Sequence, residues 1–281
     1  MKIFLKLINP LDVFFWTLRK NERDVIKLYN SLSPIMQLAT GGTMLNFGYW
    51  MGNTNDPLSA QKNLCSYFGK LAELEKAKNL VDVGSGLSAP AIFWRDKYEK
   101  LDLFCININY DQLSFSGPQK NIHFFNSTST KLPFADNSVD RVLALESSQH
   151  FKPLKDFILE SKRILKSNGI LTLAIPVTMQ NASIMKLGIL KFTWSSEHYG
   201  LEFVKKLVGS IGFKINDEKL IGKEVYVPLA NYYIKNRDEI KKLILKKYPK
   251  FVEQILFTSM LKMKKASEKN TIEYVILKCS L

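Results

Sequence analysis

The chain has 281 residues, 46% of them apolar and 12% aromatic, and a formal net charge of +14 at pH 7. It can build a full core in one or two domains, and no run of 18 apolar residues marks a transmembrane helix. Cys65, Cys105 and Cys279 share no metal-ligand spacing and read as buried thiols of a protein from a reducing cytoplasm. The first segment, Ile3–Trp16, is apolar and basic, but Lys6, Asn9, Pro10 and Asp12 interrupt it and no small-residue cleavage site follows, which argues against a signal peptide. Residues 22–40 carry Val25, Leu28, Leu32 and Ile35 at helical spacing, and Leu64, Phe68, Leu71 and Leu74 mark a second amphipathic helix over 58–78. Strands then alternate with helices: strand 80–83, helix 89–98, strand 102–108, helix 110–115 and strands 122–125 and 139–145. Helix 153–166 follows, then the turn Ser167-Asn168-Gly169 and strand 170–175; strands near 213–222 and over 272–277 complete seven. Apolar runs such as Ile170–Ile175 fit strands covered on both faces, so the chain is read as α/β, a doubly wound, mostly parallel seven-stranded sheet.

Between the last two strands the chain inserts residues 225–269. Ile240, Leu243, Ile244 and Tyr248 form one helical stripe, Pro249 breaks it, and Val252, Ile255, Leu256, Met260 and Met263 form another, which predicts a two-helix lid. Residues 1–57 are read as an N-terminal helical cap and 58–281 as the core that carries the lid.

In a sheet of this kind ligands bind beyond the carboxyl ends of the strands. Polar clusters fall there four times: Asp82–Gly86, Asn107-Ile108-Asn109, Ser127-Thr128-Ser129 and Glu146–His150. Gly84, Gly86 and Ala89 satisfy the loose G-x-G-x-x-G/A dinucleotide pattern. Asp82, two residues before the first glycine, separates the readings, because a carboxylate there repels a pyrophosphate and suits a cationic ligand. S-adenosylmethionine, with its sulfonium and α-ammonium groups, fits that requirement.

Five segments, in order, carry a family resemblance. They are Val81-Asp82-Val83-Gly84-Ser85-Gly86, Ile106–Leu113, Lys131-Leu132-Pro133-Phe134-Ala135-Asp136-Asn137-Ser138-Val139-Asp140, Arg163–Gly169 and, upstream, Leu45-Asn46-Phe47-Gly48-Tyr49-Trp50. Together they resemble the class I S-adenosylmethionine-dependent methyltransferases that act on small molecules, of the sugar, tocopherol and natural-product type, over roughly residues 40–215. The resemblance implies a Rossmann-like methyltransferase fold. It also implies cofactor contacts from Asp82, Gly84, Ser85, Gly86, Asn107, Ile108, Gln112, Thr128, Ser129 and Leu145. Three positions depart from the pattern. Ser88 replaces a third glycine, Asn107 an acid at the end of strand two, and Thr128 an aspartate near the adenine amine. Each of the last two loses a charge-assisted contact worth roughly 1 kcal/mol.

Methyl transfer is an in-line displacement in which positioning supplies much of the acceleration. An oxygen or carbon nucleophile must also lose a proton. His150 is the candidate general base, with Glu146 beside it to orient it, line the acceptor site or touch the cofactor. His123 and His198 stand in structural contexts, and no His/Cys/Asp cluster has metal spacing. Tyr49, Trp50, Tyr226, Tyr232 and Tyr233 are candidate acceptor contacts from the cap and lid. Lys235 to Lys265 holds ten basic and three acidic residues, half of the net charge. Such a patch suits an anionic acceptor or a peripheral contact with anionic lipid, and also an ordinary solvated face. A nucleic-acid or protein methyltransferase is the competing enzyme class; against it stand Glu146-Ser147-Ser148-Gln149 after strand four and the lack of a separate RNA-binding module. A cofactor-binding or membrane-associated partner protein with little turnover is a third reading, motivated by Ser88, Thr128 and the apolar-basic start.

Overall fold

The computed structural model describes residues 21–179, 190 and 197–281, so Ile3–Trp16 and the first part of the expected cap lie outside the described residues. Seven strands form one sheet in the order β3-β2-β1-β4-β5-β7-β6. β1 (Asn79–Val83), β2 (Asp102–Asn107), β3 (Ile122–Asn126), β4 (Val139–Leu145) and β5 (Leu165–Thr178) are parallel. β7 (Ile272–Ser280) runs antiparallel between β5 and β6 (Lys214–Leu220). β5 begins five residues earlier than the sequence predicts. Leu165 already pairs with Val139 and Ile170 with Arg141, so the expected turn at Ser167-Asn168-Gly169 is taken up as an irregularity of the strand.

The helices are α1 (Glu22–Thr40), α2 (Pro57–Leu71), α3 (Ala89–Lys97), α4 (Tyr110–Leu113), α5 (Leu154–Ile164), α6 (Leu201–Ser210), α7 (Gly222–Lys235), α8 (Arg237–Leu245) and α9 (Lys250–Glu268). Side-chain caps start the first two: Asn21 Oδ1 accepts from Asp24 N at 2.9 Å and Asp56 Oδ1 from Ser59 N at 2.8 Å. α2 stops at Leu71 rather than running to 78, because Glu73 takes a left-handed conformation with φ 52°. The buried Arg141 of β4 donates to the carbonyls of Ala72, Glu73 and Asp140 there, which satisfies a charge that would otherwise be costly to bury.

Alternation along the strands splits the core into two layers. Leu80 and Leu103 pack with Leu64 and Phe68 of α2 and Trp94 of α3 on one face. Val81 and Val142 pack with Phe157 of α5 and Val204 and Val208 of α6 on the other. Burial of each large side chain contributes roughly 1.5–3 kcal/mol of apolar transfer free energy.

A third, smaller core lies above the strand ends. Ile35 of α1, Tyr233 of α7, Ile240 and Ile244 of α8 and Val252 of α9 pack together, with Phe251, Leu256 and Met260 around them. The expected two-helix lid is therefore three helices, and it forms one packed body with α1. Pro228 inside α7 explains why the sequence concealed that helix. Proline cannot bond to the carbonyl four residues back, and the freed carbonyl of Glu224 accepts from Trp50 N instead, at 3.0 Å. Leu243, expected on the inner stripe of α8, is instead exposed.

Candidate active site

The sheet order reverses between β1 and β4, and the loops after those strands meet there. They floor a cavity of about 330 Å³, which the β2 and β3 ends flank and α1 and α9 roof. Gly84, Ser85, Gly86, Asn107, Ile108, Gln112, Thr128, Ser129, Leu145, Glu146 and His150 all line it, so the structure gathers eleven of the residues singled out from sequence.

Two glycines of the β1 loop serve different ends. Gly84 has φ 76°, and a Cβ there would meet Ser147 Cβ at 2.4 Å; its constraint is the packing of one loop on another. Gly86 has φ 56°, and a Cβ would find Leu45 Cδ1 at 3.5 Å as its nearest neighbour, so this position leaves the loop open to a ligand. Ser88, the departure from the glycine pattern, keeps the left-handed conformation, with φ 59°, that glycine would adopt freely. Asp82 does not line the cavity. It lies fully buried under the loop, its Oδ2 has no hydrogen-bond partner, and burial pushes its carboxyl up to about 7.

Asn107 is committed to the scaffold. Its Nδ2 donates to Gly86 O at 3.1 Å and Gln112 Oε1 at 2.9 Å, and its Oδ1 accepts from Asn109 N at 3.1 Å. α1 docks on this network: Gln112 Nε2 donates to Ser33 Oγ at 2.9 Å and Asn109 Nδ2 to Asn30 Oδ1 at 2.7 Å. At the end of β3, the Thr128 hydroxyl donates to Glu22 Oε1 at 2.8 Å. A carboxylate thus stands beside Thr128 after all, supplied by the first turn of α1.

On the β4 side Glu146 holds φ 52°, and its Oε1 accepts from Phe47 N and the Tyr274 hydroxyl, both at 2.9 Å. Burial pushes this carboxyl up to about 8 against those two donors. His150 ends a short 3-10 turn; its Nε2 lies 2.9 Å from the Tyr29 hydroxyl, and the two rings meet edge to face at 5.3 Å. Burial and the nearby Glu146 push the Tyr29 hydroxyl above its usual range, which keeps it neutral. Sequence reasoning missed Tyr29 and Glu22. Tyr29 is four residues from Val25, on the apolar stripe, and that spacing was the available signal.

The aromatic candidates from cap and lid do not line the cavity. Tyr226 is fully buried between Phe47 and Tyr274, and Tyr233 sits inside the third core. Tyr49 stacks on Tyr67 at 5.1 Å, and Trp50 packs on Tyr232 at 5.7 Å. The Gly48-Tyr49-Trp50 strap is pinned by Gly48, where a Cβ would strike Ala60 Cβ at 2.6 Å. All five make packing contacts outside the cavity lining. His123 stacks on Phe104 at 5.1 Å within the sheet. Among the described residues no group of His, Cys, Asp and Glu is arranged to hold a metal ion, and no helix is long and apolar enough to cross a membrane.

A sheet of this order with a glycine turn at its switch point defines the class I methyltransferase fold. Residues 81–173, which run from β1 into β5 at the centre of the sheet, match the model of a methyltransferase domain. It is similar to erythromycin 3''-O-methyltransferase of Saccharopolyspora erythraea, 24% identical over 174 residues, which are 59% of this chain and 57% of that protein. The chain thus spans a little more than half the length of the curated relatives it matches. Among solved structures, the cyclase SpnF has a TM-score of 0.77 at 19% identity, covering 92% of this chain and 96% of that one. The cyclopropane synthase MmaA2 of Mycobacterium tuberculosis has 0.74 at 15%, covering 97% and 100%. At these identities the likeness is one of fold, and their names, a cyclase and a cyclopropane synthase, show that the fold alone does not fix the reaction.

Proposed function

We propose that this chain binds S-adenosylmethionine at the β1–β2–β3 side of the cavity and transfers its methyl group to a small-molecule acceptor held at the β4 side. The observation that carries this reading is the gathering of the Gly86 opening, the Ile108 and Thr128 strand ends and the Glu146–His150 pair around one cavity at the sheet switch point. The residues fit the cofactor on two counts: the open face at Gly86, and a carboxyl at Asp82 whose unpartnered Oδ2 a nearby cation would compensate. Related solved structures carry S-adenosylhomocysteine, as the mycolic acid cyclopropane synthase CmaA1 does. The bound cofactor supplies an electrophilic sulfonium methyl. The protein positions the acceptor, excludes water with α1 and α9, and offers His150 Nε2 as the proton acceptor once an acceptor hydroxyl takes the place of Tyr29.

Calorimetry with S-adenosylmethionine and S-adenosylhomocysteine tests the cofactor half; saturable heat is expected, and no heat with no thermal stabilisation would sink it. His150→Ala tests the base. For an oxygen acceptor, turnover should drop about 10²-fold or more with S-adenosylhomocysteine binding intact. An amine acceptor needs no enzymic base and would leave turnover nearly unchanged, so the same variant separates O- from N-methylation.

The basic segment bears on the acceptor differently. Lys242, Lys246, Lys247, Lys250 and Lys265 are exposed on α8, α9 and the turn between them. Lys152 is the lysine that lines the cavity among the described residues, and it pairs with Glu197 at 2.5 Å. This placement favours an anionic surface outside the cavity over an anionic acceptor inside it. Cosedimentation with vesicles bearing anionic headgroups checks this, at about 1 kcal/mol per basic residue near the surface; no binding returns the lysines to a solvated face.

A further inference from the structure

The two walls of the cavity differ in chemistry. On the sheet side lie the hydrogen-bonding groups: the glycine loop, Thr128, Ser129, Glu146 and His150. On the cap side, Leu28, Leu32 and Met36 of α1 face Ile255, Leu256 and Met260 of α9 across the same space. All six are only partly buried, so each leaves hydrocarbon uncovered toward the cavity. In a helix pair that closed on itself those stripes would bury one another; here they stand apart around a void.

Glu22 lies at the far end of α1, beside Thr128; along α1 from Leu28 to Met36 and on α9 the polar side chains that line the cavity are Tyr29, Ser31 and Ser259. Ser31 Oγ donates to Lys27 O at 3.2 Å and Ser259 Oγ to Ile255 O at 2.7 Å, each within its own helix. The Tyr29 hydroxyl bonds His150 Nε2, so it belongs to the reacting end and not to the wall between α1 and α9. A polyhydroxylated acceptor lying against this wall would give up hydrogen bonds to water and leave most of its polar groups unmatched. An alkyl chain would instead gain the apolar contact the wall leaves unmade, and the methionines can adapt to its shape.

We propose that the acceptor is a lipid-like molecule, an aliphatic chain lying between α1 and α9 with its methylatable end at Glu146 and His150. This deepens the methyl-transfer reading and rests on it.

The test uses the full chain saturated with S-adenosylhomocysteine and follows ligand binding by calorimetry. The probes are n-alkanols of about eight, ten and twelve carbons, with methyl glucoside and glucose 6-phosphate as polar comparisons. Affinity for the alkanols should rise with length, by at most about fourfold per methylene, until the cavity is filled, and the sugars should give no saturable heat. Leu256→Trp should move the tightest-binding alkanol to a shorter chain. Saturable sugar binding, or alkanol affinity that ignores chain length, overturns the proposal. An unchanged length profile in Leu256→Trp also overturns it, since the chains would then lie elsewhere. Lack of S-adenosylhomocysteine binding is a separate failure: it removes the methyl-transfer reading, while the alkanol series on the ligand-free chain still decides whether the cavity takes hydrocarbon.

Discussion

Ser88 and Glu22 show how a departure from a motif is absorbed by single residues. Ser88 carries a side chain through a left-handed turn, a conformation that costs of order 1 kcal/mol outside glycine. Ser88→Gly removes that strain and gives up the long 3.5 Å bond from the Ser88 hydroxyl to Ser85 Oγ, so it is expected to raise stability by about 0.5 kcal/mol; a denaturant melt reads it directly. Glu22 stands within hydrogen-bond reach of Thr128, where the resemblance expects an aspartate near the adenine amine. If Glu22 substitutes for that carboxylate, Glu22→Ala should weaken cofactor binding about tenfold, the scale of one charge-assisted hydrogen bond. Thr128→Asp on that background should restore it, and calorimetry that finds no loss or no rescue refutes the substitution. From sequence alone the missing acid at Thr128 looked like a deficit. The carboxylate that stands beside it belongs to a residue 106 positions away, a contact that no local pattern can display.

Among the elements, the motifs that made the resemblance legible turn out to be fasteners as often as they are cavity lining. Arg163, in the last turn of α5, donates to the carbonyls of Leu132 and Phe134 and to Asp136 and Glu160. It thereby clips the Lys131–Asp140 segment to the helix, and no residue of Lys131–Asp140 or Arg163–Gly169 lines the cavity. The strands were readable because β1, β4 and β5 are buried over most of their length on both faces and so carry near-continuous apolar runs, such as Val142–Leu145 and Ile170–Ile175. The cap was readable in its stripes but not in its assembly. α7 hides behind Pro228, and the joining of α1 to α8 and α9 depends on packing between distant stretches of chain. That joining makes a prediction of its own. Arg237 donates to both oxygens of Glu253, which is completely buried, and its guanidinium lies 3.4 Å over the Phe257 ring. Arg237→Ala leaves a buried carboxylate without its partner and should cost about 3 kcal/mol. Faster hydrogen exchange confined to α8 and α9, with β1–β5 unchanged, would locate the loss in the cap.

For the whole molecule, two buried carboxyls set the response to pH. Asp82 and Glu146 are pushed up to about 7 and about 8 by burial, above their unfolded values. Their protonated forms are favoured in the fold, so the stability they contribute is complete in acid, below the unfolded values, and is lost as pH rises through 7 and 8. Each can contribute a slope of at most about 1.4 kcal/mol per pH unit. Glu73, held down to about 2 by Lys278 and Lys76, acts in the opposite direction, its contribution lost as pH falls below about 4. The melting temperature of the ligand-free chain is expected to fall between pH 5 and pH 8, and Asp82→Asn should flatten that fall. S-adenosylmethionine should stabilise the chain more at pH 8 than at pH 6, because its cationic groups offset the ionised carboxyl. A melting temperature flat across this range would count against both carboxyls as the source.

The seam between α1 and the β2 loop has a consequence for the order of events in turnover. Asn30 and Ser33 hold that loop, and Glu22 reaches the β3 end, so one helix fastens the roof over both halves of the cavity. A molecule held on the β1–β3 side would lie under that helix, and an acceptor placed as proposed would also touch α9. Steady-state kinetics should accordingly follow a compulsory sequence, with the methyl donor first on and its demethylated product last off. S-adenosylhomocysteine should compete with the donor and act as a mixed inhibitor toward the acceptor. Loosening the seam with Ser33→Ala should quicken product departure, and, where that departure limits the cycle, the variant should turn over faster than the parent chain.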